Sequence, residues 1–413
     1  MSGPPLFRFA PTMNVLLRAR RLLSDSTSSF EGAGVLVRVG RVVMLTRSGE
    51  ESRRVAGRGD VTDIDLGDVV LAPGLVNAHA HLDLGLLHGK LPAGEGFVPW
   101  VGALLRARFE LQEDDFLGAV RQGAERLLET GTTAVGDIDS SGAAAALVGE
   151  LPLRARVYRE VLDAGDASRR AVCEKMLGTP LPESELVCEG LSPHAPHTVS
   201  AGLLASAVAE ARRRKLALSI HWAESVEETR WLCEGEGPFR DFLGDSSGLP
   251  GLERLRDAGA LDLPLSLVHA NDVGDDELER VARAGIPLVH CPGTHRFFDR
   301  APAPLLEWVR HGVPIALGTD SLASNDDLDM RREMALVAAA EPGLSPETIL
   351  RWATEGGARA LGMSGLIGTL EPGAWADLVA FDLPDVTSHA ATVAAITCGY
   401  PDVVASWVAG EAR

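Results

Sequence analysis

The sequence has few cysteines, no long apolar run and no excess of basic charge, and each absence argues against a class of protein. Only five of the 413 residues are cysteines, and no CxxC pair occurs, so we expect neither a disulfide framework nor a structural zinc site on cysteine. No apolar run approaches the roughly 18 residues of a membrane span, so no membrane partner is expected. The formal net charge of -19 would repel phosphate backbones, which argues against nucleic acid as a partner.

The amino-terminal segment also lacks a basic stretch followed by an apolar segment of signal-peptide length. We therefore expect a cytoplasmic protein. With 46% hydrophobic and 23% charged residues, the composition is that of an ordinary globular protein, and the length allows a large core. The oligomeric state stays open, with a homo-oligomer as one alternative.

What the chain does have is a regular alternation of short apolar runs and helical patterns. Eight runs predict buried strands, at residues 70–81, 132–137, 154–160, 188–194, 216–221, 265–269, 286–291 and 315–320. Helical spacing of apolar residues lies between them, at 116–130, 201–214, 275–284 and 346–361. Eight such repeats predict an α/β fold with a (β/α)8 TIM barrel over residues 71–366. An open, doubly wound sheet is the alternative, but no GxGxxG loop follows the first strand.

Both ends of the chain contain patterns of strands and turns. Residues 35–39 and 41–45 flank Gly40 in a hairpin pattern. Near the carboxyl terminus, a turn-rich stretch at 368–373 leads into a strand at 377–382. We expect residues 1–70 plus 367–413 to build one small β domain, with two unrelated flaps as the alternative.

Two histidines one residue apart, His79 and His81, close the first apolar run. Alternate side chains of a strand point the same way, so both imidazoles would face one point. This geometry suits a metal ion. A solvent-exposed pair is the alternative, but such a pair does not normally end a strand of Val, Leu and Ala.

Later strands also end in residues suited to metal or proton chemistry, namely His194, His221, His269 and Asp320. In a barrel, the carboxyl ends of all strands share one face. Three imidazoles and one carboxylate therefore form a candidate ligand set, which consists of His79, His81, His221 and Asp320. Nitrogen and oxygen donors suit one divalent ion, with zinc favoured and ferrous iron as the alternative.

Such a metal would lower the pKa of a water molecule to about 7, and three groups could handle its protons. Asp320 can orient the water and take its proton. Glu224, three residues after His221, can protonate a ring nitrogen and then serve the leaving group. His269 can polarise the substrate. The alternatives are a solvated glutamate at Glu224 and a histidine at His269 that only supports the ligands.

The order HxH, HxxE, H and D on these strands resembles the amidohydrolase superfamily over nearly the whole chain. The resemblance implies the barrel, a β-sandwich built from both termini, and hydrolysis of carbon–nitrogen bonds. The segment His221-Trp222-Ala223-Glu224 is similar to the mononuclear deaminase branch. That branch implies one metal on the four ligands above, and proton handling by Glu224, His269 and Asp320.

The lysines of the chain favour one metal over two. Dinuclear members of the superfamily commonly bridge their ions with a carbamylated lysine at the end of the fourth strand. Here the lysines are Lys90, Lys175 and Lys215, and His194 stands at that strand end instead. Glu160 ends the third strand, where a glutamate bridges two metals in some dinuclear members. A second metal on Glu160 is therefore the alternative, although we favour a substrate-facing role for this residue.

A finer resemblance is to aminofutalosine deaminases of menaquinone biosynthesis, and it rests on residues 79–85, 96–100, 192–197 and 221–225. It implies deamination of an adenine-type nucleoside, best matched by aminofutalosine, with this small-molecule substrate contacted by His194, Glu160 and Trp100. His197 and the segment Gly293-Thr294-His295 depart from the family pattern. The alternatives are guanine or S-adenosylhomocysteine deamination, dechlorination, imidazolonepropionase-like amide hydrolysis, and a barrel without activity.

Overall fold

The amino-terminal part of the protein consists of short strands and one helix. The structure, a computed structural model, describes residues 13–94, 96–246 and 248–413. The first twelve residues of the predicted segment 1–70 thus lie outside the described residues. The elements are β1 (Asn14–Arg18), β2 (Arg21–Leu23), β3 (Ser29–Glu31), β4 (Gly34–Arg38), β5 (Arg41–Thr46), α1 (Gly49–Ala56), β6 (Val61–Asp65) and β7 (Val70–Pro73).

Eight parallel strands form the central sheet, and neighbours in the sheet are neighbours along the chain. They are β8 (Leu75–Ala80), β9 (Thr132–Asp139), β10 (Arg154–Val161), β11 (Val187–Pro193), β12 (Ala217–Trp222), β13 (Leu265–His269), β14 (Leu288–His290) and β15 (Ile315–Leu317). After β15 the N–H groups of Thr319 and Asp320 donate to the carbonyl of His79, each at 3.0 Å. The last segment therefore returns to the first strand. This confirms the predicted barrel and excludes the open sheet.

Helices follow the barrel strands. They are α2 (Phe97–Phe109), α3 (Glu113–Glu129), α4 (Ala143–Ala146), α5 (Ala167–Leu177), α6 (Ala201–Arg214), α7 (Val226–Glu234), α8 (Phe239–Leu243), α9 (Gly251–Asp257), α10 (Asp275–Ala284), α11 (Pro292–Phe297), α12 (Leu305–Arg310), α13 (Met330–Ala340), α14 (Pro346–Arg351) and α15 (Gly357–Ala360), with 3-10 helices at Leu82–Leu87 and Ala260–Asp262. The helices α6 and α10 have the predicted bounds. Within the described ranges, no helix combines the length and the apolar character needed to cross a membrane.

The helix predicted over 346–361 is interrupted by a π-helical turn at Trp352–Gly356. A side chain at Gly356 would place its Cβ 2.2 Å from the carbonyl oxygen of Ile315. The turn therefore presses the helix backbone directly against the last barrel strand. Helical periodicity alone does not reveal this interruption, because the backbone on both sides of the turn stays helical.

The two smaller sheets confirm that both ends of the chain build one additional domain. The last elements are β16 (Leu378–Phe381), α16 (His389–Cys398), β17 (Val403–Val408) and β18 (Glu411–Ala412). One sheet has the order β5-β4-β1-β6, and the other has the order β18-β17-β16-β7-β2-β3. Because β16 pairs directly with β7, the two ends are not unrelated flaps. The domain bounds 1–70 plus 367–413 and 71–366 stay predictions.

The strand predicted over 70–81 is in fact two strands, β7 and β8, which belong to different sheets. The break falls at Gly74, whose N–H donates to the carbonyl of Asp377, while the next N–H, of Leu75, donates to Gly131. A Cβ on Gly74 would lie 2.0 Å from the hydroxyl of Thr133. The backbone thus crosses from the small domain into the barrel where no side chain fits.

A buried ion pair joins barrel strand β10 to the segment that leads into β16. Arg154 Nε lies 2.8 Å from Asp377 Oδ2, and the two side chains are 5% and 2% exposed. Oδ1 of Asp377 also accepts a hydrogen bond from the N–H of Ala409 at 2.7 Å. Removing the carboxylate would leave a guanidinium buried without its partner.

We expect Asp377→Ala to lower the free energy of unfolding by about 3–5 kcal/mol, because an uncompensated buried charge is costly. Urea unfolding followed by circular dichroism measures the change. The matched control is Asp63→Ala, whose carboxylate pairs with Arg18 at a partly exposed site and is expected to contribute about 1 kcal/mol or less. Equal losses in the two variants would contradict the prediction.

Candidate metal centre and substrate cavity

The carboxyl ends of three barrel strands bring the four predicted metal ligands together. His79 belongs to β8 and His81 directly follows it, while His221 belongs to β12 and Asp320 follows β15. The Nε2 atoms of His81 and His221 are 3.3 Å apart. Oδ1 of Asp320 lies 3.8 Å from Nε2 of His79 and 3.7 Å from Nε2 of His81. The donor atoms therefore face one small volume.

This arrangement fits a metal ion better than a network of hydrogen bonds. Both ring nitrogens of His79 are buried and have no hydrogen-bond partner among the described residues, which is costly for polar atoms in an interior. Two nitrogens bound tetrahedrally at about 2.0–2.1 Å are about 3.3 Å apart. That separation matches the one between His81 and His221. The residues present thus fit one divalent ion.

Burial and one hydrogen bond put the imidazoles in the form that binds metal. Burial, reinforced by the neighbouring ring of His221, lowers the pKa of His79 and of His81 well below the usual value. Both rings are therefore neutral, as ligation requires. His221 Nδ1–H donates to the carbonyl oxygen of His194 at 2.9 Å, which leaves Nε2 of His221 free to bind metal.

Asp320 is oriented by residues that no sequence pattern singled out. Asn77 donates to the hydroxyl of Thr319 at 2.7 Å and accepts from its N–H at 3.2 Å. The N–H of Ser321 donates to Oδ1 of Asp320 at 2.8 Å. Burial, followed by the charge of Glu224, raises the pKa of Asp320 to about 7. A cation bound beside the carboxylate would oppose this shift, because it favours the charged form.

The three predicted proton-handling residues lie together beside the ligand set. Oε2 of Glu224 is 3.6 Å from Nε2 of His269, and that nitrogen is 4.0 Å from Oδ2 of Asp320. Nε2 of His269 is buried and has no hydrogen-bond partner in the described part of the chain. His269, Asp320 and Ala223 have φ angles of 78°, 58° and 50°, which non-glycine residues adopt at a cost. Part of the backbone strain of the chain thus lies beside the predicted chemistry.

Glu224 is held firmly in the interior. It is 8% exposed, and Glu228 is fully buried, which excludes the alternative of a solvated glutamate. Both carboxylate oxygens of Glu228 accept backbone hydrogen bonds, one from Ala223 and one from Glu224, at 3.0 Å each. Asn271 donates to the carbonyl of Glu224, also at 3.0 Å. The turn that carries Glu224 is therefore fixed from two sides.

A cavity of about 180 Å³ opens beside these groups, and its wall contains all three predicted substrate residues, Trp100, Glu160 and His194. The ring of Trp100 lies 6.1 Å from that of Phe97 and 5.1 Å from that of Phe298, so one side of the cavity is aromatic. Burial raises the pKa of Glu160 to about 7. A planar ring with polar edges could stack on the aromatic side of this cavity and form hydrogen bonds with its polar residues.

A second ion would have to bind where ligand atoms lie within 4.8 Å of one another in the group Glu160, His194 and His221. However, His221 uses Nδ1 for the carbonyl of His194, and its Nε2 faces the first ligand set. Nδ1 of His194 is 2.7 Å from the hydroxyl of Thr198. Few donors remain for a second ion, so the geometry favours a single metal.

One face of α2 supplies much of the cavity wall, and only its Trp100 was among the predicted substrate residues. Its lining residues follow the three- and four-residue spacing of one helix face, namely Phe97, Trp100, Val101, Leu104 and Arg108. That periodicity is a signal from which the face could have been found. Arg169, Phe239 and Phe242 also line the cavity but lie on other elements, and no local pattern connects them to it.

Comparisons with known proteins place these observations in a family context. A model of the amidohydrolase family matches residues 70–412. A 5-methylthioadenosine/S-adenosylhomocysteine deaminase from Desulforudis audaxviator is 28% identical and matches over 89% of this chain and 84% of its own. An aminodeoxyfutalosine deaminase from Deinococcus radiodurans is 31% identical over 80% and 82% of the two chains. The structure of a zinc-bound adenosine deaminase from Xanthomonas campestris superimposes with a TM-score of 0.83 at 25% identity, over 98% of this chain and 94% of that one.

Proposed function

Because this chain belongs to the amidohydrolase family, and is therefore a hydrolase acting on carbon–nitrogen bonds, we propose that it removes the amino group of an adenine-type nucleoside. The observation that carries this proposal is the position of Glu224, which lies with His269 and Asp320 beside the metal-ligand set. Relatives named as deaminases of adenine-type nucleosides support it. The proposed substrate is aminofutalosine, which would place the reaction in menaquinone biosynthesis.

The proposed cofactor is one divalent ion, with zinc favoured and ferrous iron as the alternative, held by His79, His81, His221 and Asp320. This assignment is supported by the spacing of the other donors and by the ring nitrogens of His79, which have no hydrogen-bond partner among residues 13–94, 96–246 and 248–413. When bound, the ion lowers the pKa of a water molecule to about 7, which supplies hydroxide at neutral pH.

The protein side chains then move the protons of the reaction. Glu224 protonates the ring nitrogen beside the amino-bearing carbon, which makes that carbon electrophilic. Asp320 receives one proton of the attacking water and passes it to the amino group, which leaves as ammonia. The second proton of that water returns to Glu224 as the carbonyl forms, which restores the acid. Nε2 of His269 stabilises the oxygen anion that forms on the carbon. One water is consumed, and the amino group is replaced by a carbonyl oxygen.

The cavity wall supports a nucleoside that carries an aromatic acid. His194 would contact a ribose hydroxyl and Glu160 a second polar edge of the substrate. Trp100 and Phe97 would pack on the base or on the benzoate arm of aminofutalosine. The guanidinium groups of Arg108 and Arg169, which line the same cavity, are suited to a carboxylate.

Ammonia release from a panel of nucleosides tests this proposal. The panel contains aminofutalosine, S-adenosylhomocysteine, 5′-methylthioadenosine and adenosine, and each is assayed on one metal-analysed sample. We expect ammonia from the panel and the highest kcat/KM for aminofutalosine. A higher value for S-adenosylhomocysteine would overturn the substrate assignment alone. If no panel member releases ammonia, whereas chloride or a carboxylate is released from triazine or amide substrates, the deaminase proposal is wrong.

A further inference from the structure

The guanidinium of Arg300 forms an ion pair with the carboxylate of Glu224. Its Nη2 donates to Oε1 of Glu224 at 3.0 Å, and the two side chains are only 13% and 11% exposed. A hydrogen bond between two charged groups is shorter and stronger than a neutral one. The other oxygen, Oε2, is the one that lies 3.6 Å from His269. The two oxygens of Glu224 thus have different partners.

The segment that carries Arg300 is tied back on itself by His295. Nε2 of His295 donates to the carbonyl oxygen of Ala301 at 2.5 Å, and the N–H of Arg300 donates to the carbonyl of His295 at 3.3 Å. The guanidinium lies 4.6 Å from the ring centroid of Phe298 and 5.5 Å from that of Phe97. Arg300 is therefore held between an aromatic wall and a closed loop.

The beginning of α11 is also held by buried contacts. It contains the segment Gly293-Thr294-His295, which departs from the family pattern. The N–H of Gly293 donates to the buried carboxylate of Glu333 at 2.7 Å. A Cβ on Gly293 would lie 2.2 Å from Oδ1 of Asn325, so only glycine allows this approach. These contacts hold the start of α11 in place, and α11 leads into the loop that carries Arg300.

We propose that Arg300 is a positioning residue for the reaction, which holds Oε1 of Glu224 so that Oε2 faces the reacting atoms. This inference rests on the proposed function, because it requires Glu224 to deliver a proton to the substrate. Without Arg300 the carboxylate would lose the only cation that contacts it among the described residues. It could then rotate toward other donors, and displacements of about 1 Å can cost about 100-fold in rate.

The test compares Arg300→Gln and Arg300→Lys with Arg296→Gln. Arg296 lies four residues away, and its more exposed side chain pairs with Asp326 instead, so its replacement is the matched control. We expect Arg300→Gln to lower kcat about 10- to 100-fold with KM changed less than about threefold. Arg300→Lys should recover part of kcat, because an ammonium can still donate to Oε1. Arg296→Gln should behave as the wild type.

A double variant separates positioning from a general loss of structure. In the Glu224→Gln background, Arg300→Gln should cause no further loss of kcat, because the group through which it acts is already disabled. Equal further losses in both backgrounds would overturn the proposal. So would wild-type kcat in Arg300→Gln.

A crystal structure of Arg300→Gln gives a readout that does not depend on turnover. We expect the carboxylate of Glu224 to leave its position in this variant and to keep it in Arg296→Gln. An unmoved carboxylate would overturn the proposal. Absence of ammonia release by the wild-type protein would instead overturn the proposed function, and the positioning role with it.

Discussion

Replacement of Glu224 by glutamine is expected to lower kcat for ammonia release by about 10²- to 10⁴-fold, which is the usual contribution of a general acid or base. Glutamine has nearly the same shape, and its carbonyl oxygen can still accept the hydrogen bond of Arg300. It cannot carry a proton to a ring nitrogen. Steady-state ammonia release with the best substrate of the panel measures the effect.

The matched control for this variant is Glu227→Gln. Glu227 lies in the first turn of α7, three residues from Glu224, and does not line the cavity within the described residues. Its replacement should leave kcat and KM near the wild-type values, and both variants should keep their metal. Near-wild-type kcat in Glu224→Gln would show that another group delivers the proton.

The variant His221→Ala is expected to lose both the metal and the activity. It removes one of four donors, and the remaining three then form an incomplete site around a larger, wetter space. Since a ligand that binds only the folded state stabilises it, added zinc should raise the melting temperature of the wild type but not that of His221→Ala. Metal analysis, turnover and thermal melting on the same samples measure the three effects.

The protein offers a control for metal binding at its surface. Ligand atoms also lie within 4.8 Å of one another in the group Asp275, Glu307 and His311, but Asp275 is exposed and the other two residues are only partly buried. We expect His311→Ala to keep its metal and its activity. If His221→Ala still bound one ion per chain and His311→Ala did not, the metal would belong to the surface group.

The barrel could be predicted from the sequence because each buried strand is a short apolar run, and because helical periodicity fills the intervals. The candidate site could be located because His79, His81, His221 and Asp320 stand at strand ends, which meet on one face of a barrel. The alternation of residues within a strand suffices to aim His79 and His81 at the same point.

Other features depend on contacts between distant segments and leave no local signal. Pro73-Gly74 interrupts the apolar run with a dipeptide that is typical of turns, but only the pairing partners on either side show that the run serves two sheets. Arg300 is 76 residues from Glu224 along the chain. No spacing rule connects such a pair, since their contact depends on how two loops fold over the barrel.

An anomalous difference map from crystals of the wild-type protein, recorded above and below the absorption edges of zinc and iron, tests directly whether the four side chains bind a metal. We expect one peak per chain, enclosed by the side chains of His79, His81, His221 and Asp320. A map without a peak among these four side chains, from a sample that releases ammonia, would contradict this expectation.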